Sequence, residues 1–121
     1  MGVAYHAHYL VWFELGRTEL MRELGCPYGV LEQRDGVFFP VVEAGARYLA
    51  AARYDDLLTI RTCLTSVSRA RVRFDYRLTR GQEPSTIATG FTEHAAMGRG
   101  GRVRRIPETL LRRLESWECG E

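Results

Sequence analysis

The chain has 121 residues, 45% of them apolar and 11% aromatic, which is enough for one domain with its own core and few enough to gain from self-association. No apolar run approaches the roughly 18–20 residues that cross a bilayer, and no basic stretch with an apolar segment and small-residue cleavage site opens the chain, so no membrane insertion and a cytoplasmic location are expected. Seventeen basic residues against fifteen acidic ones give a net charge of +2, without the domain-wide basic footprint of a nucleic-acid binder.

The first element announces itself at Gly2-Val3, a glycine turn that runs into the largely apolar stretch from Ala4 to Phe13. A helix is predicted from about His8 to Leu24, closed by Gly25 and followed by Pro27, because glycine tolerates the left-handed stop and proline cannot continue the ladder. The N-terminus of such a helix presents unpaired backbone N–H groups to an anion or a polarised carbonyl, and its histidines and aromatics would line the approach. Leu10, Phe13, Arg17, Leu20, Met21 and Leu24 recur at helical spacing while Tyr9, Val11, Trp12 and Leu15 fill other faces. A helix so apolar is expected to be buried on most sides. Gly16 costs about 1 kcal/mol relative to alanine in mid-helix, so it is expected to mark a close backbone approach.

Residues 37 to 97 read as extended chain. Val37 to Leu49 forms a long strand, with Pro40 indicating an edge or a bulge. Leu58, Ile60, Thr62 and Leu64 alternate with Thr59, Arg61, Cys63 and Thr65, and Ala70, Val72, Phe74, Tyr76 and Leu78 alternate with Arg71, Arg73, Asp75, Arg77 and Thr79. Both are the pattern of half-buried strands with a polar outer face. A turn at 80–84 leads to a further strand, about Thr86 to Met97, and a glycine-arginine turn from Gly98 to Arg105 leads into a short strand. Pro107 then opens a terminal helix with Leu110, Leu111, Leu114 and Trp117 as one apolar stripe. One long helix followed by a meander of about four antiparallel strands is an α+β order in one domain, residues 1–121.

Cys26, Cys63 and Cys119 are odd in number, widely separated and outside any CxxC spacing, so three reduced thiols are expected and neither a disulfide framework nor a zinc site. His6-x-His8 with the distant His94 lacks a third ligand at metal spacing; no metal is expected, and His94 reads as an ordinary strand residue. Asp55 and Asp56 read either as acid-base carboxylates or as turn residues that cap backbone N–H groups beside Arg53, the second being favoured. All basic residues are arginine, a bias that genome composition explains; their density in 61–80 and 99–113 also suits phosphate, which paired guanidinium donors bind well.

The segments GVAYHAHYLVWFELGR, PVVEAGARY and ARYDDLLTIRT resemble signature segments of the hotdog-fold acyl-CoA thioesterases related to 4-hydroxybenzoyl-CoA thioesterase. The resemblance implies an antiparallel sheet wrapped around one long central helix, hydrolysis of an acyl-CoA thioester, and a homodimer or dimer of dimers with the site between protomers. It implies no cofactor beyond the coenzyme A of the substrate. Gly2 and Val3 fall in the substrate turn beside Tyr5, His6 in the first helical turn with its backbone N–H as oxyanion donor, and Tyr9 three residues on. Glu43 falls at an acidic position that could support His6; its plainer reading is a strand-face carboxylate paired with arginine. Arg69, Arg102, Arg104 and Arg105 are the candidates for the coenzyme A phosphates, against the plainer reading of a solvated strand face. The family pattern also has an aspartate two positions before the Met-Gly pair, and a strand before that. The chain begins at that methionine, so the acid and first strand are read as missing from it, through a start placed too far downstream (the favoured reading), deliberate trimming, or true loss of the acid; a catalytically silent domain that binds acyl-CoA or serves as an assembly partner stands as the alternative function.

Overall fold

The computed structural model describes residues 6–50, 57–81 and 85–119. The first helix, α1, runs His6–Glu23. Gly25 adopts φ +77°, and the Cys26 N–H returns to the Met21 carbonyl at 2.9 Å, so the helix stops where the glycine and proline placed the stop. A short helix α2 (Tyr28–Val30) and a π-helical turn (Leu31–Asp35) closed by left-handed Gly36 follow; no periodicity in so short a stretch announced them.

Among the described residues four antiparallel strands form one sheet: β1 (Val41–Tyr48), β2 (Leu58–Val67), β3 (Arg71–Arg80) and β4 (Ser85–Ala95), in the order β1-β4-β3-β2. Both expectations for Pro40 hold, since β1 is an edge strand and its register slips between Val41 and Glu43. Pairing before the bulge is reduced to a bridge from Phe38 to Met97. The predicted short strand after the glycine-arginine turn is likewise a single bridge, Met97 to Val103.

Alternation along β3 decides the core. Val72, Phe74, Tyr76 and Leu78 are buried under α1 while Arg71, Arg73, Asp75 and Arg77 face outward. The helix crosses the strands: the Tyr9 ring meets Tyr48 of β1, Phe13 stacks on Tyr76 of β3 at 4.6 Å, and Gly16 sits against Ile60 and Thr62 of β2. A Cβ on Gly16 would collide with the Thr62 hydroxyl, so the mid-helix glycine does mark a close approach. Among the described residues, however, only one flank of α1 is covered. Tyr9, Phe13, Met21 and Leu24 are buried, but Leu10, Val11 and Leu15 are 50%, 53% and 56% exposed. Burial on most sides is not achieved within one chain because a four-stranded sheet offers one face only.

The terminal helix α3 (Glu108–Ser116) follows Pro107 and buries Leu110 and Leu114; Trp117 lies past its end, half exposed, and leaves the predicted stripe. Beyond it the expectation of three thiols fails: Cys63 and Cys119 form a disulfide, with Cα atoms 6.0 Å apart, and only Cys26 is free and buried. The Cys119 N–H donates to the Leu64 carbonyl at 2.7 Å, so Cys119 lies beside β2. A contact across 56 positions leaves no trace in local cysteine spacing.

Candidate active site

His6 is the first residue of α1, and Gly2, Val3 and Tyr5 lie outside the described residues. No acidic side chain occupies the first turn of α1, so no carboxylate of that turn offsets the positive end of the helix dipole. Tyr9, one turn on, is 2% exposed; its ring meets Trp12 edge-on at 5.1 Å and Tyr48 at 4.8 Å. The helix therefore begins over the β1 edge behind an aromatic wall of Tyr9, Trp12 and Tyr48.

The other candidates are not brought to this point within one chain. Glu43 is exposed and pairs in register with Glu93, whereas the next pair, Ala44 with Thr92, puts the buried Thr92 under the helix; Glu43 thus faces the opposite side of the sheet. Its neighbours there are Glu93 and Arg73, the plainer reading of a strand-face carboxylate. Arg69, Arg102, Arg104 and Arg105 are exposed at the far end of the strands. The Ile106 N–H donates to the Arg69 carbonyl at 2.7 Å, and Arg104 Nη1 donates to the Asp35 carbonyl at 3.3 Å. Tyr48 pairs with Ala88 and Arg71 with Ala95, so seven residues of β4, roughly 24 Å at strand rise, separate the two ends. Asp55 and Asp56 lie outside the described residues. Among the described residues no three His, Cys, Asp or Glu side chains are grouped to hold a metal.

Sequence reasoning passed over a buried polar chain beneath α1. His94 is 1% exposed, with Nδ1 2.8 Å from the Phe39 carbonyl and Nε2 2.8 Å from Thr92 Oγ1. The Thr92 hydroxyl lies 2.6 Å from Tyr76 Oη, which accepts from Arg17 at 3.5 Å. The two ends fix every proton. A carbonyl can only accept, so Nδ1 donates to Phe39; Nε2 must then accept from Thr92, and Thr92 from Tyr76. Burial, with Arg17 nearby, lowers the His94 pKa to about 4, which keeps the ring neutral. The signal for this chain was present as Thr92 and His94 on the core-facing parity of β4, although nothing local linked them to Tyr76.

The Thioesterase superfamily profile matches residues 1–87. Acyl-CoA thioesterase YbgC from Haemophilus influenzae is 39% identical over 79 residues, 65% of this chain and 58% of its own length. The chain therefore spans less than two thirds of that relative. A 1,4-dihydroxy-2-naphthoyl-CoA hydrolase from Synechococcus elongatus is 30% identical over 96% of this chain and 82% of its own. Among solved structures, the hypothetical protein TT1821 from Thermus thermophilus superposes with a TM-score of 0.90 at 39% identity, covering 98% of this chain and 88% of that one.

Proposed function

Since the chain belongs to the thioesterase superfamily and has its hotdog fold, we propose that it hydrolyses an acyl-CoA thioester to the free acid and coenzyme A. The observation that carries this reading is the start of α1, free of acidic side chains and set over the β1 edge behind Tyr9, Trp12 and Tyr48. The thioester carbonyl lies against that helix end. As water adds to the carbonyl carbon, its oxygen gains negative charge, and the His6 N–H donates to it; one aimed donor of this kind is worth about 10²- to 10³-fold in rate. Collapse of the adduct expels the coenzyme A thiolate, which takes up a proton. The His6 imidazole positions the water or moves its proton. No cofactor enters the reaction.

The reading extends to a homodimer or dimer of dimers in the cytoplasm. Its support, among the described residues, is the uncovered apolar flank of α1, Leu10, Val11 and Leu15, together with the edge position of β1, where Val41, Val42 and Tyr48 are exposed. A second copy added there brings further groups to the helix start and offers a route by which arginines distant within one chain approach the substrate.

The test is thiol release from a panel of short, branched and aromatic acyl-CoA substrates. Release is expected, with His6→Ala lowering kcat by about 10²-fold or more while the protein stays folded. Binding of acyl-CoA without release from any member would replace this reading with that of a silent binding domain.

A further inference from the structure

On the outer face of the sheet, turned away from α1, the register lines up arginines from three strands. Arg61 of β2 pairs directly with Arg77 of β3; Arg77 pairs with Thr89 of β4, and Thr89 with Arg47 of β1. Like charges directly opposite across strands destabilise a sheet, and this row carries three with one threonine between. Other cations of the same face are neutralised where they stand. Arg73 bonds to Asp75 at 3.1 Å and lies 3.6 Å from Glu93, and Arg71 is 3.4 Å from Glu93. Arg47, Arg61 and Arg77 are exposed and have no carboxylate partner among the described residues.

The row borders an open trough of about 1050 Å³. The Phe91 ring lies over Gly45, where a Cβ would overlap it, and carries the Arg73 guanidinium 4.2 Å above its centre. That stack closes one side and holds Arg73 out of the row. Strands are spaced by about 4.8 Å, so the three Cα atoms span roughly 15 Å, a distance that long arginine side chains can close around one compact polyanion. Planar guanidinium groups hold phosphate oxygens through paired donors, and the row carries three positive charges against the three or four negative charges of a diphosphate. We propose that Arg47, Arg61 and Arg77 form a binding site for a diphosphate-bearing ligand on the face opposite the thioester site. The site supplies binding only, and filling it relieves the repulsion within the row.

Calorimetry and thermal shift with inorganic pyrophosphate, at ionic strength matched with sodium chloride, test this. Pyrophosphate is expected to bind and raise Tm, and Arg61→Gln/Arg77→Gln is expected to weaken binding at least tenfold while leaving the unliganded Tm unchanged or higher. Arg112→Gln, which alters an exposed arginine of α3 beside Glu108, is expected to bind as the parent does. Equal shifts from pyrophosphate and matched chloride, or equal weakening by Arg112→Gln, would overturn the proposal. Displacement of pyrophosphate by free coenzyme A would identify the ligand as its nucleotide head, and displacement by ADP alone would identify a separate nucleotide; either outcome supports the site. Association of the chain into larger assemblies through this face, without pyrophosphate binding, would make the row an interface and defeat it.

Discussion

Protonating His94 breaks the polar chain beneath α1, because both ring nitrogens then donate and Nε2 faces a hydroxyl whose own proton must turn towards Tyr76 and Arg17. The consequence is a pH dependence of stability with a definite sign. The folded pKa, about 4, lies below the unfolded value near 6.5, so between these limits the unfolded chain binds the extra proton and the folded one does not. Stability from this group is complete above about pH 6.5 and falls as the pH drops, by about 3 kcal/mol near pH 4. Urea unfolding at pH 7.5 and 4.5 should reveal the loss in the parent and a much smaller one in His94→Gln; equal losses in both would assign the acid sensitivity to other groups. Nothing in the sequence fixed the tautomer, because the Phe39 carbonyl that dictates it lies 55 positions away. What could be read was the core-facing parity of Thr92 and His94, a polar pair where an apolar one is usual.

Strand β1 carries the clearest element-level consequence. Its eight residues are nearly all exposed, it has a neighbour on one side only, and nothing within the described sheet covers its outer edge. Such an edge is a template for another strand. If two copies join there, Val41→Lys with Val42→Lys, at exposed positions, should shift the species in light scattering after gel filtration from dimer to monomer without unfolding it. A dimer that persists would place the contact on α1 instead. The strand itself was legible from its sequence, and so were the edge and the bulge, which proline foretold. The face that Glu43 presents was not legible, since the slip between Val41 and Glu43 resets the alternation on which such assignments rest.

For the molecule as a whole, the Cys63–Cys119 link ties the end of the chain and α3 to the sheet. Closing a loop of nearly sixty residues in the unfolded chain is worth about 4 kcal/mol on chain-entropy grounds. Reduction, or Cys119→Ser, should lower unfolding stability by up to that amount, measured in urea with and without a phosphine reductant. No change on reduction would show that the packing of Leu110 and Leu114 already holds α3 in place. In a reducing cytoplasm the pair would stand as thiols, so the weaker form is the one expected there. By itself the sequence determined the long helix and its glycine stop, the strands, the buried faces of β2 and β3, and the family, because helical and strand periodicity and the signature segments are local properties of the chain. Tertiary structure decided which flank of α1 is covered, which cysteines meet, which end of the sheet receives the glycine-arginine turn, and that three arginines share one row. Each of these depends on strand order and register, which bring together residues whose separation along the chain carries no mark of their meeting.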